Sequence, residues 1–220
     1  MRASNSPPGQ KTVAACTQVF PPLVLASSSP RRKELLRAAG IAFTVQPTAI
    51  AERRRRGESP RRFALRMAEE KAAAVLAQLP ERQVASLPAV LGADTVVVIG
   101  DRTLGKPRSE QEARAMLRLL SGRRHRVLTA VCLLCPAARR RSLRRQAGVA
   151  STLVKFARLS EEEIRQYAAS GEPLDKAGAY AIQGLASRYV ERIEGCYFNV
   201  VGLPVSLVYG MLRKLADASK

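Results

Sequence analysis

Aromatic residues make up only 5% of the 220 residues, and histidine occurs once, at His125. Acid is also scarce: 18 Asp and Glu stand against 37 Lys and Arg, giving a formal charge of +19 and a pI near 10.9. No apolar run approaches the roughly 20 residues of a membrane span, which excludes a transmembrane helix. Neither a Walker A sequence nor GxGxxG occurs, so two common phosphate-loop signatures are missing. The single histidine has no serine or cysteine tied to it; a catalytic triad has no support, and His125 reads as structural or superficial. Four cysteines in a chain of this length favour a reduced intracellular protein over a disulfide scaffold. Cys132 and Cys135 have CxxC spacing but no second pair and no complete ligand set, so they read as buried strand thiols.

What is present fits a soluble α/β protein: 46% hydrophobic residues, mostly Val, Leu and Ala, in a chain long enough for a buried core. The charge attracts anions generally, whether nucleic acid, acidic membrane or a polyphosphate substrate. It is carried by arginine runs at Arg53 to Arg56 and Arg139 to Arg145. Neither run has interleaved aromatics or a zinc-finger or RRM-like frame, so both read as solvated loop charge rather than a sequence-reading surface. Residues 1–21 are expected to form a disordered extension, which is favoured over an organellar presequence, and 22–217 a single domain.

Strands and helices alternate along that domain. Leu23 to Ala26 reads as a short buried strand. Ser29 is placed to cap a helix opened by Pro30 and closed at Gly40. Ile41 to Val45 suggests a second strand. Ser59-Pro60 opens another helix in the same manner, and Ala89 to Ile99 is a strongly apolar strand containing Gly92 and Asp94. A helix from about Ser109 to Leu120 follows, then strands over Val127 to Leu134 and Val149 to Phe156 joined by an exposed connection over 136–147. A helix starting near Ser160 has acids facing its N-terminal dipole. Residues 170–184 look like a functional loop, Tyr189 to Ile193 like a strand, and Val205 to Leu215 like the last helix.

Asp94 is the most informative single residue, because a charge is seldom left inside an apolar strand without a partner. It could bind a metal, accept a proton, or cap a bend. Lys71 could be the wet face of an Ala-rich helix, whereas Lys106 is pinned between Gly105 and Pro107. With Arg31 and Arg32 these residues supply the cations a triphosphate requires, lysine as a point charge and arginine as a fork. Glu52, before four arginines, reads locally as salt-bridged to them. Gln183, at a glycine turn, could read a base edge or tie down a loop.

Taken in order, LASSSPRRKELL, EEKA, LGADTVV, GKP, MLRLLSGRRHRVLTAV, SGEPLDKAGAYAIQG and NVVGLP resemble the Maf family of nucleoside triphosphate pyrophosphatases, over about Leu23 to Leu215. The resemblance implies an α/β fold like that of Maf and ITPase proteins, a mixed sheet with flanking helices and a deep nucleotide-binding cleft. It implies a divalent metal, Mg²⁺ or Mn²⁺, assisting water at the α-phosphorus to give a monophosphate and pyrophosphate. It places the catalytic and metal-organising carboxylate at Asp94 and the cleft acid, a second metal ligand, at Glu52. Substrate contacts fall on Lys71, Lys106, Ser29, Arg31 and Arg32. The DKAGAYAIQG form resembles the dTTP/UTP subgroup, with discriminating positions at Arg31, Thr95 and Gln183; CTP and modified pyrimidines stay open. A cytoplasmic house-cleaning enzyme is implied, with a homodimer plausible by analogy and no membrane partner. A basic nucleic-acid-binding or cell-division regulatory protein is the competing reading. The sequence departs from the family pattern at Ala51, where an acid is common, at a slight extension over 76–90, and at the arginine-rich 136–147.

Overall fold

A computed structural model describes residues 20–79, 88–136 and 143–217. The expected tail up to residue 19, residues 80–87 of the extension and residues 137–142 of the arginine-rich segment lie outside them. Seven strands form one mixed sheet among the described residues. They are β1 (Leu23–Leu25), β2 (Thr44–Val45), β3 (Ala89–Ile99), β4 (Arg102–Leu104), β5 (Arg124–Pro136), β6 (Leu143–Phe156) and β7 (Val190–Glu194). Their order is β2-β1-β3-β5-β6-β7, with β4 also paired to β3. β1 runs parallel to β2 and β3, and the remaining pairs are antiparallel.

The helices are α1 (Pro30–Ala38), α2 (Pro60–Leu76), α3 (Glu110–Leu120), α4 (Glu161–Ala169), α5 (Tyr197–Val201) and α6 (Val205–Asp217). Alternation along β3 divides the core. Val90 and Val96 face α2 with Met67, Ala68, Ala72 and Val75, whereas Leu91, Ala93 and Val97 face the larger cluster containing α1, α3, α4 and α6. Gly92 lets α2 lie directly on the sheet: a Cβ built there would fall 2.0 Å from the Ala68 carbonyl oxygen.

The sheet is forked. β1 pairs with β3 only as far as Leu25 opposite Leu91, and β4 takes up the same edge only at Val97. Between them, residues 92–96 of β3 have no strand on that edge, while the other edge stays paired to β5. Asp94 and Thr95 therefore lie on a rigid strand that borders an opening.

Several local expectations hold. Both Ser-Pro-Arg-Arg copies open helices, and Ser160 with Glu163 forms a reciprocal capping box at α4. Past Gly40, the N–H groups of Gly40 and Ile41 donate to the Arg37 and Leu36 carbonyls, closing α1 as a Schellman turn. Others need correction. The Ser29 side chain makes no cap bond, whereas Ser59 accepts from the Arg62 N–H at 3.3 Å. The strand expected over 41–45 is only Thr44–Val45. β5 and β6 are both longer than expected, so 143–147 is strand rather than loop. Arg145 is held there by Glu69 of α2 through two contacts of 2.8 Å, a partner remote in sequence.

Candidate active site

The opening beside β3 is the mouth of a cavity of about 1330 Å³. Ser29, Arg31, Arg32, Glu52, Lys71, Asp94, Thr95, Lys106 and Gln183 all line it. The nine positions singled out in the sequence are thus brought to one place, from two helices, one strand and the loops between elements.

Lys71 is not on the wet face of α2. The buried stripe of that helix runs Phe63, Ala64, Met67, Ala68, Lys71, Ala72 and Val75, so helical spacing carries Lys71 inward. Its ammonium donates to Asp94 Oδ1 and to Glu52 Oε1, each at 2.7 Å. The partner of Glu52 is therefore Lys71 and not the neighbouring arginines. Those arginines hold its loop: Arg54 donates to Thr103 of β4 at 2.9 Å, and Arg66 of α2 donates to the Arg53 carbonyl at 2.9 Å. Arg54, Arg55 and Arg56 also line the cavity, so this run is part of the site wall rather than loose surface charge.

The two carboxylates sit in different surroundings. Burial raises the Asp94 carboxyl above its ordinary value, against the pull of Lys71 and Arg32. Burial would raise Glu52 as well, but the hydrogen bond and charge of Lys71, with Lys106 and Arg32, hold it below. A pair driven apart in this way is suited to separate tasks, one proton acceptor and one permanent anion.

Arg32 is wholly engaged by protein. Its Nε donates to the Gly202 carbonyl at 2.9 Å, and Nη1 donates to Ser27 Oγ at 3.0 Å and the Ala93 carbonyl at 2.9 Å. Nη2 donates to Thr95 Oγ1 at 3.2 Å. The Ala93 carbonyl belongs to the unpaired edge of β3, so Arg32 caps the fork. Arg31 is half-buried and lies 3.6 Å from Asp175. No protein acceptor meets the amide N–H of Arg31 or Arg32 among the described residues, which leaves the first turn of α1 open to an anion. Lys106 and Gln183 are exposed on the rim, with no side-chain hydrogen bond among the described residues.

A family model described as Maf-like protein matches residues 22–215. The chain belongs to the Maf-like family. Curated relatives carry the name dTTP/UTP pyrophosphatase. That of Koribacter versatilis is 47% identical over 192 residues, covering 87% of this Maf-like chain and 93% of the relative. That of Anaeromyxobacter dehalogenans (strain 2CP-1) is 50% identical over 202 residues, covering 88% and 94%. That of Geobacillus sp. (strain WCH70) is 48% identical over 193 residues, covering 88% and 97%. Among solved structures, the Staphylococcus aureus Ham1 protein aligns at a TM-score of 0.41 and 12% identity, over 90% of this chain and 100% of that one.

Other polar residues of this Maf-like chain become visible only in three dimensions. Ser27, at the end of β1, accepts from Arg32 and from the Ser29 N–H. Asn199 of α5, fully buried, accepts from the Thr129 N–H and donates to the Val127 carbonyl and to Thr152 Oγ1. Thr129 was detectable as a hydroxyl inside an apolar run, but Asn199 carried no local signal. Two other sequence expectations belong to the core. His125 is buried, with Nε2 2.8 Å from the Tyr180 hydroxyl, and Cys132 is a buried strand thiol pushed up to about 11 by burial. No group of three or more His, Cys, Asp or Glu residues that could hold a metal occurs among the described residues.

Proposed function

We propose that this protein hydrolyses dTTP and UTP to the monophosphate and pyrophosphate. The observation that carries the reading is the Glu52–Lys71–Asp94 cluster at the unpaired edge of β3, walled by arginines in a cavity large enough for a nucleotide. The names and extent of its relatives support the same reading.

The chemistry follows from the parts. Water attacks the α-phosphorus, the α–β P–O bond breaks, and pyrophosphate leaves. Asp94, whose carboxyl is raised by burial, takes the proton of the attacking water. The open N–H groups at the start of α1, with Ser29 and Arg31, receive phosphate oxygens, and Lys106 neutralises charge from the rim. Lys71 holds Asp94 and Glu52 in place. No covalent nucleophile is needed, since phosphoryl transfer is chiefly positioning and charge compensation.

The donor set fits a divalent cation such as Mg²⁺ or Mn²⁺. Magnesium is commonly held by one or two carboxylates together with substrate phosphates and water, rather than by an all-protein cage. Asp94 and Glu52 each spend one oxygen on Lys71, and no protein partner meets Asp94 Oδ2 or Glu52 Oε2 among the described residues. Those two atoms would hold the ion, which would polarise the phosphoryl oxygens and bound water.

The test is pyrophosphate release from a panel of dTTP, UTP, CTP, ATP and GTP, with Mg²⁺, with Mn²⁺ and with a chelator. Wild-type protein should act on dTTP and UTP with metal only, and Asp94→Asn should lose on the order of 10²-fold or more in kcat at a temperature where the variant is folded. Full activity in that variant would sink the role given to Asp94.

A further inference from the structure

Two threonine hydroxyls, on the neighbouring strands β3 and β5, are linked beside the cleft, and their proton directions can be counted. Thr129 Oγ1, fully buried on β5, lies 2.9 Å from the Asn199 carbonyl oxygen. A carbonyl has no proton to give, so Thr129 donates there, and a hydroxyl has only one proton. Thr95 Oγ1 lies 3.0 Å from Thr129 Oγ1, and Thr129 can only accept in that contact, so Thr95 must donate. Thr95 also accepts from Arg32 Nη2. Its proton and one lone pair are therefore committed to protein, and a single lone pair remains for a ligand.

Thr95 presents that lone pair to the apolar side of the cleft. It lies on the face of β3 opposite Asp94. On that face Val97, Met116, Val127 and Ile182 line the cavity and belong to the larger core cluster. Apolar walls with few polar groups suit a base, whereas the open first turn of α1, with Arg31 and the rim Lys106, suits phosphates.

We infer that Thr129 is a positioning residue for substrate choice: by taking the Thr95 proton it makes Thr95 a hydrogen-bond acceptor for the ring N–H of a uracil or thymine base. Cytosine carries a lone pair at the equivalent ring nitrogen, so two acceptors would face each other and one would stay unpaired in a sheltered site. The inference rests on reading the cleft as a pyrimidine nucleotide site.

The experiment measures kcat/KM for UTP and CTP in wild type, Thr129→Val and Thr129→Ser. Valine keeps the shape but cannot take the proton, which frees the Thr95 hydroxyl to rotate and donate. The UTP-to-CTP ratio should fall by about tenfold or more in Thr129→Val and stay within about twofold of wild type in Thr129→Ser. A merely structural role would lower both substrates equally and leave the ratio unchanged, and that result overturns the inference. Should Thr129→Val not fold, the wild-type protein decides with N3-methyl-UTP, which lacks the N–H, against 5-methyl-UTP as the control for added bulk. Selective loss of the N3-methyl compound supports the inference, and equal turnover overturns it. If wild-type protein releases pyrophosphate from none of these nucleotides, the proposed function falls and this inference with it.

Discussion

Lys71 and Asp94, one from a helix and the other from a strand, meet with Nζ 2.7 Å from Oδ1 while exposing only 8% and 6% of their surfaces. A buried pair of this kind is costly to form and more costly to break, since removing one partner leaves an uncompensated charge. Its position in the cleft makes it a device for setting the Asp94 carboxyl as much as for holding the fold.

Lys71→Met should move the acid limb of the kcat/KM profile to higher pH, because Lys71 is the main charge pulling Asp94 down against burial. The sign for stability follows. With Asp94 raised further in the folded variant, stability is retained at low pH and lost as pH rises through the folded value. At pH 8 the cost should reach about 3–5 kcal/mol. Rate profiles and urea titrations at pH 5 and 8 check both; an unmoved acid limb would refute the coupling.

Gly92→Ala should be among the most damaging methyl additions in the molecule. The new carbon would meet the backbone at Ala68 and Ala72, which no side-chain rotation relieves. About 1–3 kcal/mol should be lost. Activity at a temperature where the variant is folded should fall as well, since α2 must shift and take Lys71 with it. Denaturation midpoints and kcat report the two effects separately.

The two serine-proline starts predict opposite phenotypes. Ser59→Ala removes a real cap bond and should cost about 0.5–2 kcal/mol with normal kinetics. Ser29→Ala removes no cap bond and should leave stability near wild type while raising KM for the nucleotide. Reversed results would exchange the roles given to the two motifs.

Much of this contrast was legible in the sequence, and some was not. Caps and helix starts depend on neighbours, so Pro30, Pro60 and Ser160 announced them correctly. Asp94 was legible as a charge in an apolar strand. Lys71 carried a usable signal, its place on the same helical stripe as Met67 and Val75, that its charge obscured. Glu52 and Arg145 could not be read locally, because Lys71 and Glu69 reach them from a helix distant in sequence. Strand ends are hidden for the same reason: the charged residues at 144–145 look like loop until the pairing across to β5 is known.

His125 supplies a fourth prediction. Burial pushes its imidazole down to about 4, and its ring packs edge-on against Phe156 and Tyr180. The neutral form is the folded form, so its contribution is present above pH 6.5 and is lost as pH falls towards 4. The loss should total about 3 kcal/mol. Comparing urea midpoints of wild type and His125→Phe across pH 4 to 7 isolates this slope; parallel curves would contradict it.

The fork in the sheet has one more consequence. Where a neighbouring strand would have shared out the bonding along β3, a single guanidinium bridges strand edge, loop and helix end. Redundancy is absent at that point. Lysine offers one nitrogen and no planar fork, so even the most conservative replacement of Arg32 cannot reproduce the four contacts. Loss of that one side chain would free four acceptors at once, on the strand edge, in the loop after β1 and in the turn after α5.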